Sequence, residues 1–524
     1  MNSPPPARRR RPNLRGPGLA LLAGAAIGFA HPPFGFLPGL LGLAALLWLI
    51  DRADPDRPLR SSFLRGWLAG FAYFLVGTWW VGEAFFVDAA AHGWQAPFAV
   101  TLLPAGLGLF WGAAGVGYRR IAPPGLSRTL VFAATLALAE WLRGHVLSGF
   151  PWDLVGEAWR AGSAPSQGAA MVGAYGMTFV TIAIMAAPGV AIAASPKPRA
   201  WVLGLAAVAL AILWGGGAWR LAGARQDTTT LRVRVVQANI PQTEKWSAQA
   251  FQDIFDRHVR LTASPAGSDG PPDVIIWPEA AIPTSAAELL APGSWTRAGI
   301  LEALRPGQIL MFGAVRVVGP IDRPIYYNSL VALRRSLDGF TPLGLYDKHR
   351  LVPFGEYLPA EQWLAPLGLK KLAAVGDGFT AGPRPEPLKL DGLGTVQPLI
   401  CYESLFPGLS RPGGARPGWI VNVSNDAWFG RTSGPWQHLN LASYRAIETG
   451  APIVRATPTG VSAVVDAYGR VRAQLALGQA GVIDSRLPGV LSVTPYTRFG
   501  DLFFWLFTLL GAAPVIFSNV KFQR

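Results

Sequence analysis

The chain holds one cysteine, Cys401, which closes the apolar run Pro398-Leu399-Ile400 and precedes Tyr402-Glu403-Ser404. A side chain on a sharp strand-to-helix turn is presented as hydrolase-type nucleophiles are. A free thiol is as often an inert core residue, so Cys401 alone leaves both readings open. Glu279 follows the run Val274-Ile275-Ile276-Trp277 and Pro278. Ligands of α/β sheets bind beyond the carboxyl ends of the strands, so this carboxylate points into a crevice or is a solvated loop glutamate. Lys348 lies in Tyr346-Asp347-Lys348-His349-Arg350-Leu351-Val352-Pro353-Phe354-Gly355-Glu356-Tyr357-Leu358-Pro359, which has neither helical nor strand period. It belongs to a basic surface loop or supplies a placed ammonium. Together the three types form a coherent set. A thiolate attacks a carbonyl, a carboxylate takes the thiol proton and later one from an incoming amine, and an ammonium beside a backbone N–H holds the oxyanion.

These groups need elements to carry them. Residues 231–240 (LRVRVVQANI) alternate as a strand does, and so do 273–277, 308–317, 328–333, 396–401 and 419–424. Stretches 247–263 and 435–449 read as helices. Strands interleaved with helices over 228–490 predict one α/β domain. No internal repeat is visible, and no low-complexity tract beyond the Pro/Arg-rich N-terminus.

The rest of the chain has another texture. Of the 524 residues 51% are hydrophobic and 15% charged, against about 25% charged in an ordinary soluble domain. Disorder, a coiled coil and a disulfide scaffold are excluded. Apolar runs at about 17–30, 37–50, 62–86, 97–117, 128–147, 169–194 and 200–219 precede the α/β block, and another at about 499–519 follows it. The first two are shorter than the roughly 20 residues of a straight crossing and pair as a tight hairpin about His31-Pro32-Pro33-Phe34-Gly35. The immediate second run argues against a cleaved signal peptide. Lys and Arg alternate by loop: Arg8–Arg11 and Arg15, then Arg52, Arg57, Arg60 and Arg65, then Arg119, Arg120 and Arg128, then Lys197 and Arg199, and finally Lys521 and Arg524, whereas 84–96 has none. The positive-inside rule puts both termini in the cytoplasm and the α/β block on the opposite face. The net charge of +15 is then topological, and a nucleic-acid partner is not expected. Glu140 and Arg143 end the fifth run, as a functional ionisable pair or one that holds the bundle together; Gly149-Phe150-Pro151-Trp152 just after reads as an ordered, partly buried loop.

In order, WPE at 277–279, the lysine of YDKHRLVPFGEYLP and CYES at 401–404 resemble the Glu-Lys-Cys triad of the nitrilase superfamily. A domain of that kind after seven spans and before an eighth resembles the apolipoprotein N-acyltransferase family. The likeness runs from about residue 17 to 518. It includes Val236-Gln237-Ala238-Asn239-Ile240-Pro241-Gln242 with Lys245-Trp246, GFPW at 149–152, Asn425-Asp426-Ala427-Trp428-Phe429, and Gln437-His438 before a helix ending Arg445-Ala446-Ile447-Glu448. The fold this implies is an eight-span α-helical membrane bundle with an α/β nitrilase-like domain, an αββα sandwich, inserted between spans seven and eight. Its segments would be a cytoplasmic N-terminus (1–16), seven spans (17–222), a periplasmic catalytic domain (228–490), an eighth span (498–519) and a cytoplasmic C-terminus (520–524).

The resemblance also implies roles. Glu279 is the general base, Lys348 the oxyanion stabiliser and Cys401 the nucleophile; Glu356 orients the lysine or assists proton transfer, Tyr402 lends a backbone N–H to the oxyanion hole, Glu403 supports the turn and Trp246 lines the site. The reaction implied is ping-pong: an acyl chain passes from a phospholipid, typically phosphatidylethanolamine, to Cys401, then to the α-amino group of an S-diacylglyceryl-cysteine at a lipoprotein N-terminus. Partners are that phospholipid and diacylated apolipoproteins, the place is a bacterial inner membrane, a monomer is expected, and no metal or organic cofactor is implied. The apolar stretch 363–372, with Trp363 and Leu367, is a lipid-admitting arm or a core segment; Trp428 and Phe429 line an acyl channel or are core aromatics. The family usually has Asn where this chain has Pro458, which puts one polar contact in doubt and leaves the triad intact. The six histidines show no metal-ligand spacing, and no phosphate loop is present. Two other readings remain: a membrane-tethered amidase, for which a bundle is unneeded, and a transporter or sensor, for which the three residues are.

Overall fold

A computed structural model describes residues 15–224, 227–245, 247, 249–267, 270–359, 378–411 and 416–521, with side chains to residue 513. Trp246, Trp363, Leu367 and the 363–372 arm lie outside the described residues, as do nearly all of 1–16 and residues 522–524.

Each apolar run becomes helical. Among the described residues, seven α-helices of ten residues or more precede the α/β block: α1 (Arg15–Gly28), α2 (Gly42–Asp51), α3 (Pro58–Thr78), α4 (Ala96–Ile121), α5 (Arg128–His145), α6 (Ala169–Ala191) and α7 (Pro196–Ala222). Proline opens α3, α4 and α7, where its missing N–H costs nothing. The run expected over 62–86 starts earlier and stops at Thr78, with 79–86 wound as 3₁₀. There the Thr78 hydroxyl bonds back to the Phe74 carbonyl, and the Trp80 indole takes the Gly77 carbonyl. On length and composition, the helical stretches Ala89–Ile121, Pro165–Ala191 and Pro196–Ala222 can cross a membrane. Trp201, Leu205, Val208, Ile212 and Trp219 stand exposed along α7, an outward apolar face of the kind that marks a contact with lipid or another protein. Helices α3 and α4 approach through small residues: a Cβ on Gly70 would stand 2.9 Å from the Gly108 Cα.

The pair at the end of α5 ties the bundle to a loop. Arg143 Nη2 meets Glu140 Oε2 at 2.5 Å, Trp111 Nε1 donates to Glu140 Oε1 at 2.8 Å, and Arg143 Nη1 donates to the carbonyls of Phe150 and Trp152. Both charges are buried. The loop at 149–152 is thus held from the bundle, with Trp152 almost fully buried.

Among the described residues, the α/β block holds two six-stranded sheets. The first runs β12-β1-β2-β3-β4-β5, with β1 Thr228–Gln237, β2 Val274–Ile276, β3 Ile309–Val318, β4 Ile325–Arg335, β5 Phe340–Asp347 and β12 Gly481–Pro488. The second runs β11-β10-β9-β8-β7-β6, with β6 Leu388–Leu390, β7 Gly394–Ile400, β8 Trp419–Val423, β9 Ile453–Ala456, β10 Ala463–Val465 and β11 Val471–Gln474. Strand alternation sends Val233, Val235, Val274 and Ile276 of the first sheet against Val396, Ile400, Val421 and Val454 of the second. Outside the first sheet lie α8 (Phe251–Ala263) and α9 (Trp295–Ala303), which cover Val236, Ile275 and Leu310. Outside the second lies α10 (Gly434–Thr449), which covers Leu399, Ile420 and Ile453. The helix expected from 247 begins at Phe251. Strand β12 returns antiparallel beside β1, Pro488 opposite Thr228, and α11 (Leu502–Lys521) then packs on α5 and α6, with Trp505 against Trp141 and Phe504 against Tyr175.

Helix α10 belongs to both halves. Tyr444 and Ile447 enter the core of the helical bundle. Arg445 reaches Glu157 at 3.0 Å and Glu448 at 3.0 Å, with all three side chains fully buried, and Glu448 accepts from the Ala174 N–H. Removing one member of such a set strands the others. We therefore expect Arg445→Met to destabilise the chain by about 3–5 kcal/mol, seen as a lower melting temperature in detergent, with the loss partly recovered when Glu157 and Glu448 are also made glutamine.

Candidate active site

Three chain segments bring their ends together. Glu279 follows β2, Lys348 directly follows β5, and Cys401 directly follows β7 and opens a 3₁₀ turn, Cys401–Leu405. Backbone strain gathers here: Ala280, Phe354 and Cys401 have φ of 45°, 61° and 50°, a region where a Cβ is unwelcome. The Glu279 turn lies on β3 through Gly313, whose N–H donates to the Pro278 carbonyl at 3.2 Å. A Cβ on Gly313 would stand 2.5 Å from the Glu279 Cα, so only glycine lets the turn sit that close.

The ammonium of Lys348 lies between two carboxylates, 3.0 Å from Glu279 Oε1 and 2.9 Å from Glu356 Oε1. Asn328 on β4 donates its amide to the same two oxygens at 2.7 and 2.8 Å, and its carbonyl accepts the Lys348 N–H. Glu356 Oε2 takes the Val352 N–H at 2.8 Å. Lys348 is 1% exposed and Glu279 5%, so neither the surface loop nor the solvated glutamate describes them. Burial would raise the Glu279 carboxyl, but Lys348 and the Asn328 amide outweigh it and hold it below the ordinary range. Burial would likewise lower Lys348, but Glu279 and Glu356 keep it well above its usual value.

The thiol at rest is neutral. Burial pushes Cys401 up to about 12, Glu279 adds to the push, and Lys348 and the Ser424 hydroxyl pull the other way. The site therefore pairs an ionised base with a protonated nucleophile, an arrangement that needs a proton transfer at the moment of attack.

Glu403 anchors the turn. Its Oε2 takes the Ile400 N–H at 2.7 Å; its Oε1 takes the N–H groups of His349 and Arg350 and the Tyr346 hydroxyl at 2.6 Å. One carboxylate thus locks the cysteine turn to the segment that follows the lysine. Burial raises it despite these bonds. The Tyr402 hydroxyl donates to the Gly149 carbonyl at 2.6 Å, joining the turn to the loop held by Arg143. Phe429 sits in an aromatic cluster, 4.4 Å from Trp80 and 5.7 Å from Trp152 between ring centroids; Trp428 is half-buried beside it. The Pro458 carbonyl accepts the Asn239 N–H at 2.7 Å, a backbone contact open to any residue.

Two site residues escaped the sequence reading. Asn328 lies in an alternating strand, where one polar residue draws no notice. Lys245 is fully buried, its ammonium 3.4 Å from the Glu279 carbonyl, and burial lowers it to about 8. Its one cue in the sequence is its place beside Trp246, just after residues 236–242.

The carbon-nitrogen hydrolase family matches residues 232–493, and the apolipoprotein N-acyltransferase N-terminal domain matches 23–187. An apolipoprotein N-acyltransferase of Caulobacter vibrioides is 56% identical over 518 residues, 98% of this chain and 96% of its own length. Proteins of the same name from Brucella melitensis and Rhodopseudomonas palustris are 41% and 40% identical, over 90% and 92% of this chain and 89% and 91% of theirs.

The electrostatics set a pH expectation. A base held below 4.5 stays ionised as pH falls through 6 and 5, so its contribution is lost only as pH drops through the lowered value. Acylation of Cys401 by a p-nitrophenyl ester, followed as nitrophenol release, should keep its acidic limb below pH 4.5. Asn328→Leu removes a donor from the ionised form and should move that limb to higher pH.

Proposed function

The chain belongs to the apolipoprotein N-acyltransferases, and on that premise we propose that it moves a fatty acyl chain from a membrane phospholipid, by way of Cys401, to the α-amino group of a diacylated lipoprotein. The observation that carries this reading is the buried Glu279–Lys348–Glu356 cluster at the foot of the Cys401 turn, in a domain seated on an apolar helical bundle. Glu279 takes the thiol proton as sulfur attacks the ester carbonyl. The oxyanion is met by the Lys348 ammonium and the Tyr402 N–H. Its collapse expels the lysophospholipid alkoxide, which takes the proton from Glu279, and leaves a thioester. The lipoprotein amine then attacks, Glu279 accepts its proton, and collapse forms the amide and returns the proton to sulfur. Glu356 and Asn328 hold the ammonium in register. Thioesters yield readily to amines, which suits cysteine to this exchange.

A substrate that lives in a bilayer explains the scaffold. We assign the helices α1–α7 and α11 to eight crossings of the inner membrane, with residues 228–490 on the periplasmic face between the last two, both termini in the cytoplasm, phosphatidylethanolamine as donor and a monomer as the working form. The contacts agree with this sidedness: Trp80 and Trp152 reach Gln437 on α10, and Asn440 takes the Ala161 N–H, so the loops near α10 are 79–95 and 146–168. The Lys/Arg-rich stretches, Arg52 to Arg65, Arg119 to Arg128 and Lys197 to Arg199, are not among them. Two reactants confined to one interface also meet at raised effective concentration.

Mass spectrometry of the purified protein should find a palmitoyl-type adduct on Cys401 after incubation with phospholipid, and none in Cys401→Ser. Cys401→Ala should abolish N-acylation of a diacylated lipopeptide while leaving membrane insertion intact; retained N-acylation would overturn the assignment. Glu279→Gln should slow thioester formation by about 10²–10⁴-fold.

A further inference from the structure

A second polar cluster lies beneath the nucleophile, and the steps above do not use it. Ser404, Asp426, His438 and Arg455 are all fully buried. His438 Nδ1 stands 2.9 Å from Asp426 Oδ1; Arg455 donates to Asp426 Oδ2 at 2.6 Å, and the Ser424 hydroxyl donates to Oδ1 at 2.7 Å. Across the ring, His438 Nε2 is 3.0 Å from Ser404 Oγ and 3.2 Å from the Cys401 carbonyl oxygen, and the Ser404 hydroxyl lies 2.9 Å from that same carbonyl. The spacing is that of a serine–histidine–aspartate relay, but its hydroxyl is sealed in the core against a backbone carbonyl.

The chemistry of the neighbours sets the charges. Burial would raise Asp426, but Arg455 and His438 hold it far below its usual value; burial and Arg455 hold His438 below its own, so the ring is neutral. Nδ1 faces both the Asp426 carboxylate at 2.9 Å, which only accepts, and an Arg455 nitrogen at 3.0 Å, which only donates, so the neutral ring carries its proton on one nitrogen and a lone pair on the other. With the proton on Nε2 the ring donates to the Cys401 carbonyl directly; with it on Nδ1 the Ser404 hydroxyl bridges the ring and that carbonyl; either way the carbonyl is held.

The Cys401 carbonyl and the Tyr402 N–H belong to one planar trans peptide, so they point in opposite directions. Whatever fixes the carbonyl aims the N–H. Cys401 also holds a φ of 50°, which its surroundings must impose. On the reading of Cys401 as the nucleophile and Tyr402 as an oxyanion donor, we propose that Ser404 and His438, oriented by Asp426 and Arg455, are positioning residues that hold the Cys401 carbonyl and so aim the Tyr402 N–H at the developing oxyanion. The helical bundle braces the same turn of α10. The neighbouring Gln437 Oε1 accepts from Trp80 Nε1 at 3.0 Å and from Trp152 Nε1 at 3.1 Å.

Two reactions at one sulfur separate this from a structural role. Alkylation of Cys401 by iodoacetamide passes through no oxyanion; acylation by phospholipid does. In the full-length protein in detergent, Ser404→Ala and His438→Gln should slow single-turnover acylation, and transfer from Cys401 to a diacylated lipopeptide, by about ten-fold or more. Phospholipid KM and the alkylation rate should stay within about two-fold of wild type, and His438→Gln, whose amide can still accept from Ser404, should outperform His438→Leu. Acylation and alkylation falling together, or acyl transfer at wild-type rate in both variants, would overturn the proposal. Absence of any acyl adduct on wild-type Cys401 would instead overturn the reading on which it rests, and needs no variant to detect.

Discussion

One ammonium, taken out of water and set between two carboxylates, governs how the rest of the site is built. Lys348 is affordable in the interior only because Glu279, Glu356 and the Asn328 amide surround it; without them its desolvation would neutralise it. The same contacts keep Glu279 ionised, and the negative charge on Glu279 in turn helps keep the thiol protonated. The three groups are therefore not independently tunable. Changing any one moves the proton inventory of the others, and the positions are held accordingly: Lys348 and Cys401 directly follow β5 and β7, and Asn328 lies within β4.

The second constraint is mechanical. Helix α10 serves as the outer layer of one sheet and as part of the bundle core, and the Cys401 turn is fastened to the bundle through Tyr402 and Gly149. Catalytic turn, sheet and bundle thus share side chains rather than meeting across a smooth boundary. Buried ion pairs at Arg143 and Arg445 make that junction intolerant of partial separation, since opening either would expose unpaired charge in an apolar setting.

Much of this was legible in residue order. Alternation located β1 to β4, β7 and β8 because those strands bury a face in the core between the sheets, and the six unrecognised segments are short or edge strands such as β6, β10 and β11, whose patterns are too brief to carry a period. Cys401 and Glu279 stood out because each follows an apolar run, and Lys348 because its charged and aromatic segment follows no period at all. Asn328 and Lys245 did not, since their meaning comes only from what folding places beside them. Glu140 and Arg143 were ambiguous as a pair of charges; the carbonyls of Phe150 and Trp152, which no spacing announces, decide for a structural clamp.

Strands β1 and β12 lie side by side, so the polypeptide arrives at and departs from the sandwich at adjacent points on one margin. A module with its two ends together can be spliced into a connection between helices without rerouting anything around it. The sandwich is thus inserted into the chain at a single point by its neighbouring ends, while α10, shared with the bundle core, ties it in along one face.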